Sequence, residues 1–485
     1  MKTIAELAPQ IVWKNFYELT KIPRPSKFEQ AAAEFLYDFG KKLGLETIKD
    51  EAGNIIIRKP ATAGMENRMG IILQAHVDMV PQKNSDVKFD FKKDAIQTRI
   101  VGDMVYATGT TLGADNGLGC AVAMAVLESK DMVHGPIEAL FTIDEETGMT
   151  GARALKAGLI QGDILINLDS ETEGELYVGC AGGMDASAIF TYKTEKVPAG
   201  FVGQKISVTG LVGGHSGMDI ILCRANANKI MARVLLPVLR DLDAKLINID
   251  GGNMRNAIPR EAFATIVIAE DKVACAQAMI AKKLAEVKVE YTATDKDLMI
   301  EMAPEKVKGE AIQQQVAINL CKALYACPSG VERMSDAMPG LVETSNNMAI
   351  VKSDEGKIQV HSLMRSSVDS EKEDLAEKMR SVFELAGAEV TFTGGYSGWA
   401  PNMQSPILRE MKKVYNKLYG KEPAVMAIHA GLECGILGGI YPKWDMISCG
   451  PSIFSPHSPD ERVNIESVEK WWKFVVEVLK EAPKK

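Results

Sequence analysis

No C-x-x-C pair occurs among the eight cysteines of this 485-residue sequence; the nearest two are Cys321 and Cys327. That spacing disfavours both a zinc ribbon and a disulfide scaffold, so a reducing cytoplasm is the expected compartment. Nor is there a run of about 20 apolar residues, the length a membrane-spanning helix needs. A basic surplus is also absent: 56 Lys and Arg face 64 Asp and Glu, a net charge of −8. Nucleic acid and anionic membranes normally require the opposite sign, which excludes both as expected partners. No export signal is expected either. "MKTIAELAPQIVWKNFYELTKIPRPS" carries acids and aromatics where an apolar leader core would lie, and it reads as an amphipathic helix stopping at "IPRPS". No low-complexity tract or solenoid-length repeat appears. What remains, 46% apolar and 25% charged residues, is the composition of a soluble globular protein of about two to four domains.

Over the first 180 or so residues, helical and strand patterns alternate. Helices are expected near 28–43 and 115–129, and strands at "NIIIRK", "MGIILQAHVDMV", "IEALFTIDE" and "DILINLD". Apolar runs as continuous as "GIILQA" and "ILINL" predict strands buried on both faces, hence an α/β sheet covered by helices. From about residue 200 the texture becomes α+β. "KISVTGLVGGHSG", a helix near 224–242, "KLINIDGG", "AFATIVIAED" and a helix near 272–286 form one round. A helix near 309–325, "KIQVHSLMRSS", a helix near 370–387 and "AEVTFTGG" form a second of similar plan. "GGYSGWAPN" then punctuates the chain, and α/β texture resumes to a terminal helix, "SVEKWWKFVVEVLKEA". The expectation is a catalytic α/β domain in two parts, 1–186 and 400–485, interrupted by an α+β domain over 187–399.

The chemistry gathers at strand ends. "FTIDEETGMTGA" closes an apolar strand with Asp144, Glu145 and Glu146. Three adjacent carboxylates repel one another and are costly to bury without a positive charge. They are either a solvated turn or the edge of a cation site. "QAHVDMV" places His76 and Asp78 at i and i+2 on one face of a strand, and a metal-binding imidazole commonly has its second ring nitrogen fixed by a carboxylate. "GTTLGADNGLG" sets Asp115 and Asn116 before an apolar helix, where an N-cap is the simpler reading. No Gly-Lys-Ser/Thr follows, which weakens a phosphate loop. "ILINLDSE" ends in Asp169, and "SPHSPDER" holds His457 in a proline-braced loop. In open α/β sheets, strand ends are where sites assemble. With His76 and His457 neutral, the anions Asp115, Glu146, Asp169 and a bridging hydroxide balance two divalent cations. Nitrogen and carboxylate donors suit zinc, with cobalt or manganese as possible substitutes. Glu145, left unligated beside Glu146, is then free to move protons.

In order, "HVD", "GADNG", "DEETG", "NLDSE" and "SPHSPDER" resemble the signatures of the co-catalytic zinc dipeptidase, aminoacylase and carboxypeptidase family, across nearly the whole chain. The resemblance implies that Asp115 bridges two zinc ions, with His76 and Asp169 on one and Glu146 and His457 on the other. It implies that Asp78 orients His76, that Glu145 is the general acid/base, and that the Asp115–Asn116 peptide is cis. An Asp at the position of Asp169 resembles the dipeptidase and aminopeptidase branch, whereas deacylases usually carry Glu. The inserted domain is implied to act as a lid, with His215 of "VGGHSGMD" on the oxyanion and Asn256 and Arg365 on the substrate. A small peptide is then the partner, a free-amine dipeptide with preference for Xaa-His, including β-alanyl-histidine, and a homodimer through the lid domain is possible. His134, His361 and His429 are expected to be structural. The rival readings are a deacylase or tripeptidase of the same family, a binding protein that has lost its chemistry, and a set of unrelated turns and caps.

Overall fold

In a computed structural model, residues 3–485 are described. Contacts divide the chain into two units, Met1–Cys180 with Trp399–Ala427 and Leu432–Lys485, and Ala181–Gly398 with Ile428–Gly431. The boundary expected after residue 186 falls inside the strand Gly182–Thr191, and the contact division lies ahead of it.

The first unit is built on an eight-stranded sheet. Its centre is four mutually parallel strands, in the order Ile137–Thr142, Ile71–His76, Ile164–Asn167 and Asp445–Ser448. The first three are buried at every position, as their unbroken apolar runs require. Antiparallel pairing is confined to the flanks, where Glu46–Lys49 and Ile55–Lys59 extend one side and Glu175–Cys180 the other. The sheet is therefore mixed, parallel at the strands that lead into His76, Asp144 and Asp169. Against it packs Ala114–Glu128, a helix apolar on all sides and buried from Asn116 to Leu127; such a helix is stable only in a core. Gln10–Thr20 covers that helix with Val12, Trp13, Phe16 and Leu19. A small four-stranded sheet pairs Arg462–Asn464 with Ile453–Phe454 and Met104–Ala107, and the loop it closes carries His457.

The second unit is an antiparallel sheet of nine strands in two halves. Met299–Pro304, Phe201–Thr209, Ala262–Ala269 and Lys245–Gly251 form one half. Val342–Asp354, Lys357–Ser366, Gly182–Thr191 and Glu389–Tyr396 form the other, with Gly330–Met334 branching from it. The halves join only at Asp250↔Lys352 and Gly251↔Val351, which is the two-round plan read in the sequence. Ala186, Ala188, Phe190, Val360 and Met364 pack with residues of the helices Ala227–Asp241, Gln314–Ala326 and Asp369–Leu385 in one core. By the period-2 alternation of strands, Asp185, Ser187, His361 and Arg365 take the opposite face.

Candidate metal centre and substrate-binding residues

His76 is the last residue of its strand and is buried. Its Nδ1 lies 3.2 Å from the Asp78 carbonyl and 3.4 Å from Asp78 Oδ1, leaving Nε2 as the free ligand atom. That atom faces Asp115 Oδ1 at 3.0 Å and Asp169 Oδ1 at 3.2 Å. His457 comes from the distant loop, with Nε2 3.1 Å from Asp115 Oδ2 and 3.1 Å from Glu146 Oε2. Two sets thus form, His76 with Asp115 and Asp169, and His457 with Asp115 and Glu146, and they share one carboxylate. Donor atoms of His76, Asp115 and Glu146 all fall within 4.8 Å of one another, a group able to hold a metal ion. The Asp115–Asn116 peptide is cis, as the resemblance implied, and Asn116 Nδ2 donates to Asp169 Oδ1.

The three acids after the strand have three different fates. Asp144 adopts φ 54° and accepts from the hydroxyls of Thr147 and Thr150, so it shapes the turn. Glu145 and Glu146 open a four-residue helix, and Asp78 accepts from both of their amides, at 3.0 and 3.2 Å. One buried carboxylate therefore orients His76 and fixes the backbone of the two glutamates, while Ser26 Oγ donates to its other side at 2.7 Å. Ser26 carried no recognisable signal in the sequence.

The electrostatics are those of a cation site. Burial raises the Asp115 carboxyl, but hydrogen bonds to His457 and His76 override it and hold the group below the usual carboxylate range. Burial pushes Asp169 up to about 6, with the His76 charge opposing and Asp115 adding to the rise. Glu145 is pushed well up by burial, against the pull of His76 and with Asp169, Glu433 and Glu146 adding to it. His457 is raised to about 11 by its hydrogen bonds to Asp115 and then Glu146. Glu146 Oε1 is buried with no hydrogen-bond partner. Imidazole and carboxylate donors with one buried oxygen unpartnered fit a divalent ion of the zinc, cobalt or manganese type.

Beneath the ligands runs a second buried layer that the sequence reading missed. Gln74 and Asn167 stand two residues before His76 and Asp169, and Thr142 two before Asp144. Gln74 Nε2 and Thr142 Oγ1 donate to Glu433, Asn167 Nδ2 donates to Gln74 Oε1, and Ser448 Oγ donates to Asn167 Oδ1. The signal was the strand period itself: Gln74 and Asn167 are two residues before His76 and Asp169 and share their face, and all three are polar inside apolar runs.

In the second unit, His215 pairs with Ala257 across a two-residue ladder. Its Nδ1 accepts from the amides of Gly217 at 3.2 Å and Met218 at 3.0 Å, so the neutral ring carries its proton on Nε2. Burial, then the Arg365 charge, lowers its pKa against the pull of Asp219. Arg365 is buried, and its Nε has no partner. A Cβ on Gly217 would lie 2.3 Å from the His429 carbonyl, 3.1 Å from His215 Cε1 and 3.3 Å from Arg365 Nε. Only glycine permits this approach, and three polar groups converge on it. Asn256 is exposed; its carbonyl accepts from Ser216 N at 2.8 Å. His134 Nδ1 lies 2.7 Å from the Gly135 carbonyl, and His361 Nδ1 lies 2.9 Å from Ser187 Oγ. His429, expected to be structural, lies beside Arg365, and burial followed by that charge lowers it to about 3.

Two imidazoles share a carboxylate at the end of the parallel strands of a mixed sheet covered by helices, in a cluster able to hold a metal ion. The chain belongs to peptidase family M20/M25/M40, which it matches over residues 72–481, and is accordingly a hydrolase of peptide bonds. It is 46% identical over 485 residues, the full length of both chains, to the cytosol non-specific dipeptidase of Escherichia coli (strain K12). Its structure is similar to that of an aminoacylhistidine dipeptidase from Vibrio alginolyticus, with a TM-score of 0.95 and 44% identity, covering 100% of this chain and 99% of the other. An aminopeptidase PepT from Bacillus cereus shares the fold, with a TM-score of 0.58 and 18% identity over 98% of this chain and 99% of that one.

Proposed function

We propose that this protein is a zinc-dependent dipeptidase acting on free-amine dipeptides, broad in range with a preference for Xaa-His, including β-alanyl-histidine. The observation that carries the reading is the single Asp115 carboxylate facing His76 on one oxygen and His457 on the other, in a chain collinear with a dipeptidase. His76, Asp115 and Asp169 would hold one zinc, and His457, Asp115 and Glu146 the other. Held there, the pair would supply Lewis acidity, lowering the pKa of the attacking water toward ~7 and polarising the scissile carbonyl.

The protein's own groups do the rest. Glu145 takes the water's proton and returns it to the leaving amine, a role that suits a carboxyl whose pKa is raised. Asp78 keeps His76 in the tautomer that offers Nε2. His215 donates its Nε2 proton in a hydrogen bond to the developing oxyanion, and Arg365 receives the substrate carboxylate as a fork, with Asn256 as a further substrate contact. A grip on both amine and carboxylate measures length, because each added residue extends a peptide by ~3.3–3.6 Å.

The same reading includes a cytosolic location and a homodimer through the second unit, where Met218, Ile221 and Leu222 are exposed. Among the described residues no helix is long and apolar enough to cross a membrane. The test is to strip the protein with chelator, titrate zinc back, and follow alanyl-histidine beside its N-acetylated form and an alanine tripeptide. Activity returning with up to two zinc per chain, on the free-amine dipeptide alone, is the expected result. Preference for the acetylated form would make it a deacylase, and preference for the longer peptide a tripeptidase.

A further inference from the structure

Four consecutive backbone amides converge on one buried carboxylate. Glu461 Oε2 accepts from Leu112 N at 2.7 Å and Gly113 N at 2.9 Å, and Oε1 accepts from Ala114 N at 2.8 Å and Asp115 N at 3.2 Å. The side chain is 2% exposed, and among the described residues no Lys, Arg or His forms an ion pair with it. On the other side of the same loop lies Arg24, equally buried. Its Nη2 donates to the Gly113 carbonyl, and its Nη1 to the carbonyls of Val77 at 2.9 Å and Asp78 at 3.1 Å. Residues 112–115 are therefore gripped through their N–H groups by an anion and through a C=O by a cation. Room for the guanidinium comes from two glycines: a Cβ at Gly113 or Gly117 would lie 2.6 or 2.5 Å from Arg24 Nη2.

Each buried ion costs several kcal/mol in desolvation, a cost that packing alone does not require. What the two charges achieve is connection. Glu461 belongs to the loop of His457 and ties it to the loop of Asp115. Arg24 ties that loop to the strand exit of His76 and Asp78. Three ligand-bearing segments, far apart in sequence, are thus fixed to one another through two side chains that touch no ligand atom.

We propose that Glu461 and Arg24 are positioning residues that set the spacing of the metal-ligating atoms of His76, Asp115 and His457; this rests on the metal-site reading above. Glu461→Gln replaces one acceptor oxygen with an N–H donor facing amide donors, so the loop of Asp115 must shift. Arg24→Lys keeps the charge but loses the fork. Glu461→Asp keeps the charge on a shorter arm.

The test is calorimetric zinc titration of chelator-stripped parent and variants, with the absorption spectrum of cobalt-loaded protein and steady-state kinetics on alanyl-histidine. Glu461→Gln and Arg24→Lys are expected to bind at least one zinc about 10- to 100-fold more weakly and to show an altered cobalt spectrum. Their kcat is expected to fall with KM changed by less than about 3-fold, and Glu461→Asp to lie between parent and Glu461→Gln. Parent-like zinc affinity and cobalt spectrum in Glu461→Gln would overturn the proposal. If Glu461→Gln does not fold, parent-like values in both Arg24→Lys and Glu461→Asp would overturn it instead. A parent that binds zinc yet hydrolyses no dipeptide would overturn the substrate reading, and the titration would still decide the positioning role.

Discussion

His76 and His457 approach the two oxygens of one carboxylate, at 3.0 Å from Asp115 Oδ1 and 3.1 Å from Asp115 Oδ2. A shared carboxylate couples the two halves of the site, so its loss should empty both. Asp115→Asn removes the charge and turns one oxygen into a donor that repels a cation. Since changing even an outer partner of a metal ligand typically costs 10- to 100-fold, we expect zinc affinity and activity to fall by more than about 100-fold. Elemental analysis after dialysis checks this; two zinc retained per chain would contradict the bridging role.

Glu145→Gln separates proton transfer from metal binding. Among the described residues Glu145 forms no ion pair with His76 or His457, whereas Glu146 Oε2 lies 3.1 Å from His457 Nε2. The amide should leave metal content unchanged and lower kcat by about 10²- to 10⁴-fold, the usual contribution of a general acid/base. A variant with parent metal content and near-parent turnover would remove Glu145 from the mechanism.

The candidate ligands were legible as a set whose motif order resembles a known family, since alone Asp115 reads as a helix cap and His457 as a loop residue. His76 and Asp78 fall at i and i+2 of a buried run, Asp169 closes another, and Glu145 and Glu146 follow a third. What remained hidden is what holds them. Ser26, Arg24 and Glu433 reach the centre from segments without a site motif, and Glu461, although it lies in "SPHSPDER", gives no sign there of its role, 346 residues from the amide of Asp115 that it accepts. A buried glutamate beside an exposed-looking "SPD" is indistinguishable from surface until the chain folds. The helices of the second unit followed from periodicity. The placement of His429 beside Arg365 did not, because the short segment 428–431 returns to that unit from the other part of the chain.

Arg365 offers a buried guanidinium whose Nε has no partner in the protein, as a carboxylate receptor must. Arg365→Lys keeps the charge but loses the planar fork. Hydrogen bonds to charged groups are worth ~1.5–3 kcal/mol, so kcat/KM for alanyl-histidine should fall roughly 10- to 150-fold. The discriminating measurement uses alanyl-histidinamide, which has no terminal carboxylate. The parent should prefer the free acid strongly and the variant only weakly; an equal preference in both would place carboxylate recognition elsewhere.

His429 makes a prediction about stability. Its folded pKa is about 3, against ~6.5 in an unfolded chain. Between those values the unfolded state binds the extra proton, so stability is fullest above pH 6.5 and declines as pH falls toward 3, at up to about 1.4 kcal/mol per pH unit. The cause is burial, compounded by the neighbouring Arg365 charge, which a protonated imidazole could not escape. His429→Gln loses the titration while its amide can still bond to Ser345 Oγ, which lies 2.7 Å from His429 Nε2. Urea melts of the metal-free proteins from pH 7 to pH 4 should therefore show a shallower acid loss in the variant, even where its stability at pH 7 is the lower of the two. Parallel profiles would mean that His429 is protonated in the folded state and that its charge beside Arg365 is compensated by a group not facing it here.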